Sequence, residues 1–388
     1  MSVEDSGDAI VVGAGLIGLA IAFELAERGA AVRVYDRGEP GRAASWAGAG
    51  MLAPYAEEFD DESLLQLCEA SLAGYPAFVE RVRVKGDVDP HLHLNGIVHA
   101  AFDSATAGHL QRRLDGLRSR GVVCHLLDRV QTLAAEPWLG TDVVSALLVQ
   151  GEGCVDNRRL GRALIAACRR YDVSIAKVTT LSVECDSRRT LGVRSELGFA
   201  AAGAVINACG AWAGQVGGIP QSALPPVVPV KGQMFALEAP VDFVRHATWM
   251  PGAYVVPRDD GRLLIGATAE RGRADIRVTA SGLHQLLQAA LRASPALGEF
   301  TISETWAGLR PGTPDGRPFI GPTSIDRLFV ATGHYRNGIL LAPVTAGLIA
   351  DFVEGRNPPL AAFTLDRAAR FPPPQAGVES TQREGLSL

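Results

Sequence analysis

The sequence predicts an α/β protein in which a discontinuous nucleotide-binding domain is interrupted by an inserted antiparallel β-sheet domain with a helix. Three observations carry that prediction. A strand, a glycine turn and a helix open the chain at 9–28, and a second strand–glycine–helix pattern closes it at 328–354. Between them, α/β text is broken twice by β-rich text, the second time with an Asp-Gly turn signal. At 388 residues the chain exceeds one ordinary core and accommodates two domains.

Taken in order, Ala9 to Val12 is a short apolar run that reads as a buried parallel strand. A glycine turn follows, then a helix from about Leu16 to Arg28 that Gly29 ends. AAVRVYD gives a second strand ending at Asp36. Residues 40–50, PGRAASWAGAG, are small enough to form a loop lying close to a ligand, and residues 62–83 read as helix. From 86 to 150, strand-like runs (LHLNGIVHAAF, SALLVQ) flank a helix near 105–120. Asp156 resembles an N-cap for a helix through Arg170, because a short carboxylate there can accept from the free N–H groups of the first turn.

VSIAKVTTLSVECD and LGVRSELGFAAAGAVINACG follow as strands, and VVPVKGQMFALE, GAYVVPRDDGRLLIGATAE and TISETWAGLRPGT as antiparallel-sheet text. The strand RLFVATG and a helix over about 343–354 close the fold. The nucleotide domain is therefore expected over 1–85, 150–225 and 315–371, and the inserted domain over 86–149 and 226–314. Residues 372–388, Pro-rich and then polar, are expected to be a disordered tail.

Composition removes several function classes. Hydrophobic residues at 47% and charged residues at 20% describe a globular chain. A net charge of −5 without a long Lys/Arg block makes nucleic acid and anionic membranes poor partners. The six cysteines contain no CxxC and read as reduced core thiols. His91 and His93 form an H-x-H pair with no matching ligand cluster, so no metal site is expected. The apolar stretch 9–23 is too short for a typical membrane span, and Glu4, Asp5 and Asp8 stand where a signal peptide would be basic. A cytoplasmic protein is expected.

Gly13, Gly15 and Gly18 make G-x-G-x-x-G directly between a strand and a helix. The first glycine permits the tight turn, the second lets a pyrophosphate approach the backbone, and the third lets helix and strand pack closely. The helix N-terminus offers free N–H groups and a positive dipole end to phosphates. Asp36 closes the second strand, where a carboxylate can accept hydrogen bonds from ribose hydroxyls. The motif alone does not choose between FAD and a nicotinamide. The late strand–glycine–helix chooses flavin, since it supplies a second approach to one cofactor. A helix starting near Ile339 would aim its N-terminus at the isoalloxazine, where reduction builds negative charge.

Six stretches, VVGAGLIGLAIAFELAERG, WAGAGML, VKGQ, YVVPRDDGRLLIGAT, WAGLRPGTPDGRPFIG and GHYRNGILLAP, carry a family likeness. Across nearly the whole chain they resemble the FAD-dependent amine oxidases of the D-amino-acid-oxidase type, and among these the glycine oxidase branch of bacterial thiamine pathways. Beyond the motif glycines, the resemblance implies FAD contacts at Leu16, Ile17, Asp36, Arg37, Ala44, Ser45, Ala49, Gly50, Met51 and Thr180. It adds the turn His334, Tyr335, Arg336, Asn337, Gly338, Ile339 and Leu340. Some relatives attach flavin through a late cysteine. None follows Cys209 here, so non-covalent FAD is expected.

Such an enzyme needs little acid–base machinery, because a neutral amine held with its Cα–H near flavin N5 can pass hydride directly. It does need a carboxylate anchor, and the planar fork of arginine suits one. Arg310, in AGLRPGT before a turn fixed by Pro311 and Gly312, is the expected anchor; from the residues alone, a surface pair with Asp315 or Glu304 reads equally well. Tyr254 could close the anchor with its hydroxyl, or simply be an aromatic half-buried in a sheet. The resemblance places Arg336 in the active site, against the alternative of an ion pair with a sheet-domain carboxylate, and His334 as a backbone FAD contact. Two positions depart from the family pattern. Ala269 stands where a larger aliphatic is common; if it lines the pocket, it leaves room for N-substituted glycines. Asp36 replaces a common Glu.

The resemblance thus implies an oxidase of glycine or N-substituted glycines such as sarcosine. The imino product hydrolyses to glyoxylate and amine, while O₂ becomes H₂O₂. A sarcosine or D-amino-acid oxidase, or an FAD-dependent dehydrogenase, is the near alternative. A non-catalytic flavoprotein subunit and an NAD-dependent dehydrogenase are the distant ones. Resemblance also implies a homo-oligomer, a tetramer in relatives.

Overall fold

The computed structural model describes residues 9–56, 61–186 and 188–371; the tail 372–388 lies outside the described residues. One six-stranded sheet runs in the order Phe319–Pro322, Leu328–Thr332, Ala204–Asn207, Ala9–Val12, Val32–Asp36, Ser174–Lys177. Its strands are parallel except Phe319–Pro322, which is antiparallel at one edge. The first strand lies inside the sheet and is buried throughout because each of its faces has its own cover. Ala9 and Val11 pack with the helices Leu16–Glu27, Asn157–Arg169 and Ala342–Val353. Ile10 and Val12 pack with Val183 and Val193 of a small antiparallel sheet, Thr180–Cys185, Thr190–Ser195 and Gly198–Ala201.

Caps agree with the sequence. The Asp156 side chain accepts from the N–H groups of Arg158 and Arg159, both at 2.9 Å, and the helix Asn157–Arg169 follows. The closing helix, Ala342–Val353, matches the expected 343–354, whereas a start near Ile339 is not seen. The preceding residues make a turn in which Leu341 N–H donates to the Asn337 carbonyl at 2.8 Å. Pro343 then occupies the first helical turn, where no N–H is required.

The second sheet has nine strands among the described residues, and the segments 86–149 and 226–314 share it. Its order is Glu270–Arg271, Val228–Glu238, Arg262–Gly266, Ala253–Pro257, Ala247–Met250, Ile97–Ala101, Ser145–Val149, Cys124–Leu127, with Ile302–Gly312 beside Val228–Glu238. Only Ile97–Ala101 and Ala247–Met250 pair in parallel. The Asp-Gly signal lies at the hairpin between Ala253–Pro257 and Arg262–Gly266. The helix Ala280–Ala293 buries Leu286 and Ala290 against Phe235, Val255 and Ile265 on one face of this sheet. Pro311 and Gly312 do not form the expected turn, because the ladder with Val228–Glu238 continues through Gly312.

The six cysteines are free thiols. His91 and His93 each contact the Asp259 carboxylate, at 2.7 and 2.9 Å, and no group of metal-binding side chains occurs among the described residues. No described helix is long and apolar enough to cross a membrane.

Candidate active site

The open face of the nine-stranded sheet and the strand ends of the parallel sheet enclose a cavity of about 520 Å³. Its nucleotide end is built mostly from backbone and small side chains. Gly13 has φ +112°, and a Cβ there would lie 2.4 Å from the Ala208 carbonyl oxygen, so no other residue fits without displacing the neighbouring strand end. A Cβ on Gly18 would lie 1.9 Å from the Gly13 carbonyl oxygen, which lets the helix Leu16–Glu27 sit against the turn.

Asp36 accepts from Ala14 N–H and Gly38 N–H, both at 2.7 Å. Its carboxylate is thereby fixed at the mouth of the cavity beside Arg37. The Ser45 hydroxyl accepts from Leu16 N–H at 2.8 Å, tying the small-residue loop to the helix N-terminus.

Gly13, Gly15, Leu16, Ile17, Asp36, Arg37, Ala44, Ser45, Ala49, Gly50, Met51, Thr180 and the turn His334 to Ile339 all line this one cavity. Two residues expected with them do not. Gly18 lies beneath the turn, and Leu340 is buried with its carbonyl taken by the Ser71 hydroxyl at 2.6 Å. The turn from Cys209 to Trp212 also lines the cavity and was not expected. It follows Ala204–Asn207, the strand beside Ala9–Val12 on the side away from Val32–Asp36, and loops at such a switch point face the ligand crevice. The Arg37 guanidinium carbon lies 4.6 Å from the centre of the Trp212 ring.

The other end is built from long side chains on the antiparallel sheet. Sheet register sets His99, Trp249, Tyr254, Gly266, Met234 and Trp306 opposite one another, one residue per neighbouring strand. Trp249, Tyr254 and Met234 from this row line the cavity, with Ala267 and Thr268 beside them. The Tyr254 ring lies 5.4 Å from Trp249, and its hydroxyl sits over Gly266, where a Cβ would approach it to 2.8 Å. Ala269 does not meet the condition set for it: it is buried and does not line the cavity, whereas Ala267 does.

Arg310 lines the same end. The carboxylates that could have paired with it are committed elsewhere, Glu304 to Arg158 at 2.8 Å and Asp315 to Arg367 at 2.9 Å. Its Nη1 donates to the Thr268 carbonyl at 3.0 Å, a neutral partner that orients the fork without cancelling its charge. Arg336 lies beside the Tyr335 ring, 5.1 Å from its centre. His334 is buried and shares a 3.0 Å hydrogen bond with the Thr345 hydroxyl, and burial pushes its imidazole pKa down to about 3. Its imidazole is therefore neutral at neutral pH.

The cavity therefore takes in the Asp36 carboxylate, the glycine turn, Tyr254 and Arg310. The open turn, the small loop 43–51 and the helix N-terminus fit a dinucleotide, and Tyr254 and Arg310 line the same cavity.

The chain is similar to known proteins. The model of the DAO family, FAD dependent oxidoreductase, matches residues 8–352. The glycine oxidase of Pseudomonas aeruginosa is 36% identical over 90% of this chain and 95% of its own. The bifunctional protein ThiO/ThiG of Synechocystis is 37% identical over 90% of this chain, which spans only about half (52%) of that relative. The crystal structure of glycine oxidase from Geobacillus kaustophilus has a TM-score of 0.87 at 36% identity, covering 92% of this chain and 98% of its own. That of iminodiacetate oxidase from Chelativorans has a TM-score of 0.83 at 29% identity, covering 92% and 98%.

Proposed function

This chain belongs to the DAO family of FAD-dependent oxidoreductases, and on that premise we propose that it oxidises glycine or N-substituted glycines at Cα. The single observation that carries the reading is Arg310, a guanidinium with no ion pair among the described residues, in the cavity that also holds the dinucleotide turn. Iminodiacetate, named for one structural neighbour, is itself an N-substituted glycine.

FAD held along the glycine turn would supply the hydride acceptor and the chemistry by which the electrons reach O₂. The chain's own part is binding and alignment. Gly13, Gly15, Leu16 and Ile17 present backbone to the pyrophosphate, Asp36 and Arg37 hold the adenosine side, and the 334–339 turn faces the flavin. Arg310 takes the substrate carboxylate with two parallel charge-assisted bonds, and the Tyr254 hydroxyl closes that anchor. Arg336 flanks the substrate from the turn. The apolar wall of Met234, Trp249 and Ala267 excludes water and lets the amine bind neutral, with Cα aligned for transfer. Water then hydrolyses the released imine to glyoxylate and amine.

No cysteine follows Cys209, so the flavin is held without a covalent bond. Assembly as a cytoplasmic homo-oligomer belongs to the same proposal. The test is a visible spectrum of the purified protein followed by a peroxide-coupled screen of glycine, sarcosine and bulkier N-alkyl glycines. Colourless protein, or yellow protein that no amine reduces, sinks the reading. Flavin reduction by an amine without peroxide assigns a dehydrogenase.

A further inference from the structure

The small loop that borders the cavity is held by its carbonyls. Asn157 Nδ2 donates to those of Ser45 and Trp46 at 2.7 and 3.2 Å, and Trp306 Nε1 to that of Ala47 at 3.0 Å. Arg258 Nη2 donates to the Ala49 carbonyl at 2.7 Å and to Asn157 Oδ1 at 3.0 Å. Asn157, Trp306 and Arg258 do not line the cavity, whereas Ser45, Ala47, Ala49 and Gly50 do.

Arg258 is buried, and its close partners are neutral oxygens. Nη1 donates to the Pro257 carbonyl at 3.2 Å, while the carboxylate of Asp156 stands 3.8 Å from Nε. That carboxylate already caps the helix Asn157–Arg169 and lies 3.8 Å from Arg262 as well. Burying a guanidinium is costly, so its placement against a loop carbonyl needs a reason.

The Ala49–Gly50 peptide, which is trans, supplies one. In a trans peptide the C=O and the following N–H point in opposite directions. With the Ala49 carbonyl drawn onto Arg258, the Gly50 N–H is turned away from it. The Gly50 carbonyl accepts from Val155 N–H at 2.9 Å, and a Cβ on Gly50, at φ +73°, would lie 1.9 Å from the Val155 carbonyl oxygen. Gly50 is thus fixed on both sides, and no described residue accepts its N–H. Its neighbours reach both parts of the site. A Cβ on Gly48 would lie 2.8 Å from Ile339 Cδ1 in the 334–339 turn, and Ala47 and Ala49 share an apolar cluster with Tyr254, Trp249 and Met234.

We propose that Arg258 is a positioning residue for the flavin, which turns the Gly50 N–H into the cavity as a donor to the ring that gains negative charge on reduction. The inference deepens the proposed function and rests on its placing of the flavin beside the 334–339 turn. Arg258 touches neither substrate nor flavin; it acts through one peptide plane. A donor fixed there favours the reduced flavin over the oxidised one, because a hydrogen bond to a charged group is the stronger.

The test uses the flavin-loaded protein without substrate. Its two readouts are the two-electron midpoint potential, by equilibration with a reference dye, and the Kd of oxidised FAD, by titration of the apoprotein. Arg258→Met keeps the stem and removes the donors. It is expected to shift the balance of reduced and oxidised flavin about tenfold toward the oxidised form, a potential lower by about 30 mV. The Kd of oxidised FAD should change much less.

Asn157→Ala releases the Ser45 and Trp46 carbonyls and the second acceptor of Arg258 without changing any charge. It is expected to lower the potential in the same direction by a smaller amount, and it decides the matter if Arg258→Met does not fold. The proposal is overturned if the variants lose FAD affinity while the potential holds, which describes a purely structural clamp. It is overturned equally if the potential is unmoved in Asn157→Ala, which leaves only the guanidinium charge to act. Because no amine is needed, these results stand whether or not the protein oxidises glycines. Wild-type protein that takes up no FAD refutes the cofactor reading and this inference with it.

Discussion

The two ends of the cavity solve the same problem, holding a polar ligand, with opposite materials. At the nucleotide end the ligand meets backbone: a glycine turn with φ +112° at Gly13, the N–H groups at the start of a helix, and a loop of small residues. At the substrate end it meets long side chains, Arg310, Tyr254, Trp249 and Met234, brought together from separate strands. A backbone site fails when a side chain is added, because nothing there can move aside. A side-chain site fails when one is shortened, and it fails in affinity while the fold stands.

That contrast can be broken most severely at Gly13. Gly13→Val places a branched side chain at positive φ against the Ala208 carbonyl, so the holoenzyme is expected to be lost altogether. The flavin-to-protein absorbance ratio and the yield of soluble protein measure this. A soluble, fully yellow variant would show that the turn is not confined as described.

Arg310→Ala should do the reverse: full flavin content, but a loss of about 2–5 kcal/mol in kcat/KM for glycine or sarcosine, as when a buried charge loses its partner. Arg310→Lys keeps the charge without the fork and should fall between. Wild-type kinetics, or loss of flavin with Arg310→Ala, would erase the distinction between the ends.

A smaller effect tests the wall. Ala267→Val should lower kcat/KM for bulky N-alkyl glycines more than for glycine by roughly 1–3 kcal/mol, the scale of a methylene mismatch. Ala269→Met should leave that ratio alone, because Ala269 does not reach the cavity. Equal shifts from both would place the wall elsewhere.

A separate readout, independent of activity, is a dependence of stability on pH that runs in opposite directions for two buried groups. His334 has its pKa lowered to about 3, below the unfolded value near 6.5, so the unfolded chain binds its proton first on acidification. Stability is whole above about pH 6.5 and falls as pH drops toward 3, by at most about 1.4 kcal/mol per pH unit.

Burial raises the carboxyl of Glu152 to about 8, above the ordinary 4.5. Its contribution is whole below about pH 4.5 and is lost as pH rises through about 8. Urea midpoints against pH should therefore show His334→Gln flattening the acid limb and Glu152→Gln the alkaline one. A wild-type curve unmoved by either variant would refute both assignments.

The nucleotide end was legible because its determinants are neighbours in sequence. G-x-G-x-x-G between a strand and a helix, and an acid closing the next strand, specify local backbone geometry. The cap at Asp156 and the Asp-Gly hairpin are local for the same reason. Arg310 and Tyr254 were reached through family likeness, since an arginine in a strand carries no local mark of what it faces.

What the tertiary structure decided lies in register and in partners. Ala267 and Ala269 lie in the irregular stretch after the strand Arg262–Gly266, where alternation no longer tells which side chain faces the cavity, and nothing local foretells Trp249 and Met234 beside Tyr254. Nor could it show that Glu304 and Asp315 are engaged elsewhere while Arg310 rests on a carbonyl. By itself the sequence determined a dinucleotide turn, two sheets and their helices, because hydrogen bonding and φ/ψ preference act over a few residues. The charge left available at the anchor is set by contacts between residues far apart in the chain, and only the packed molecule fixes those.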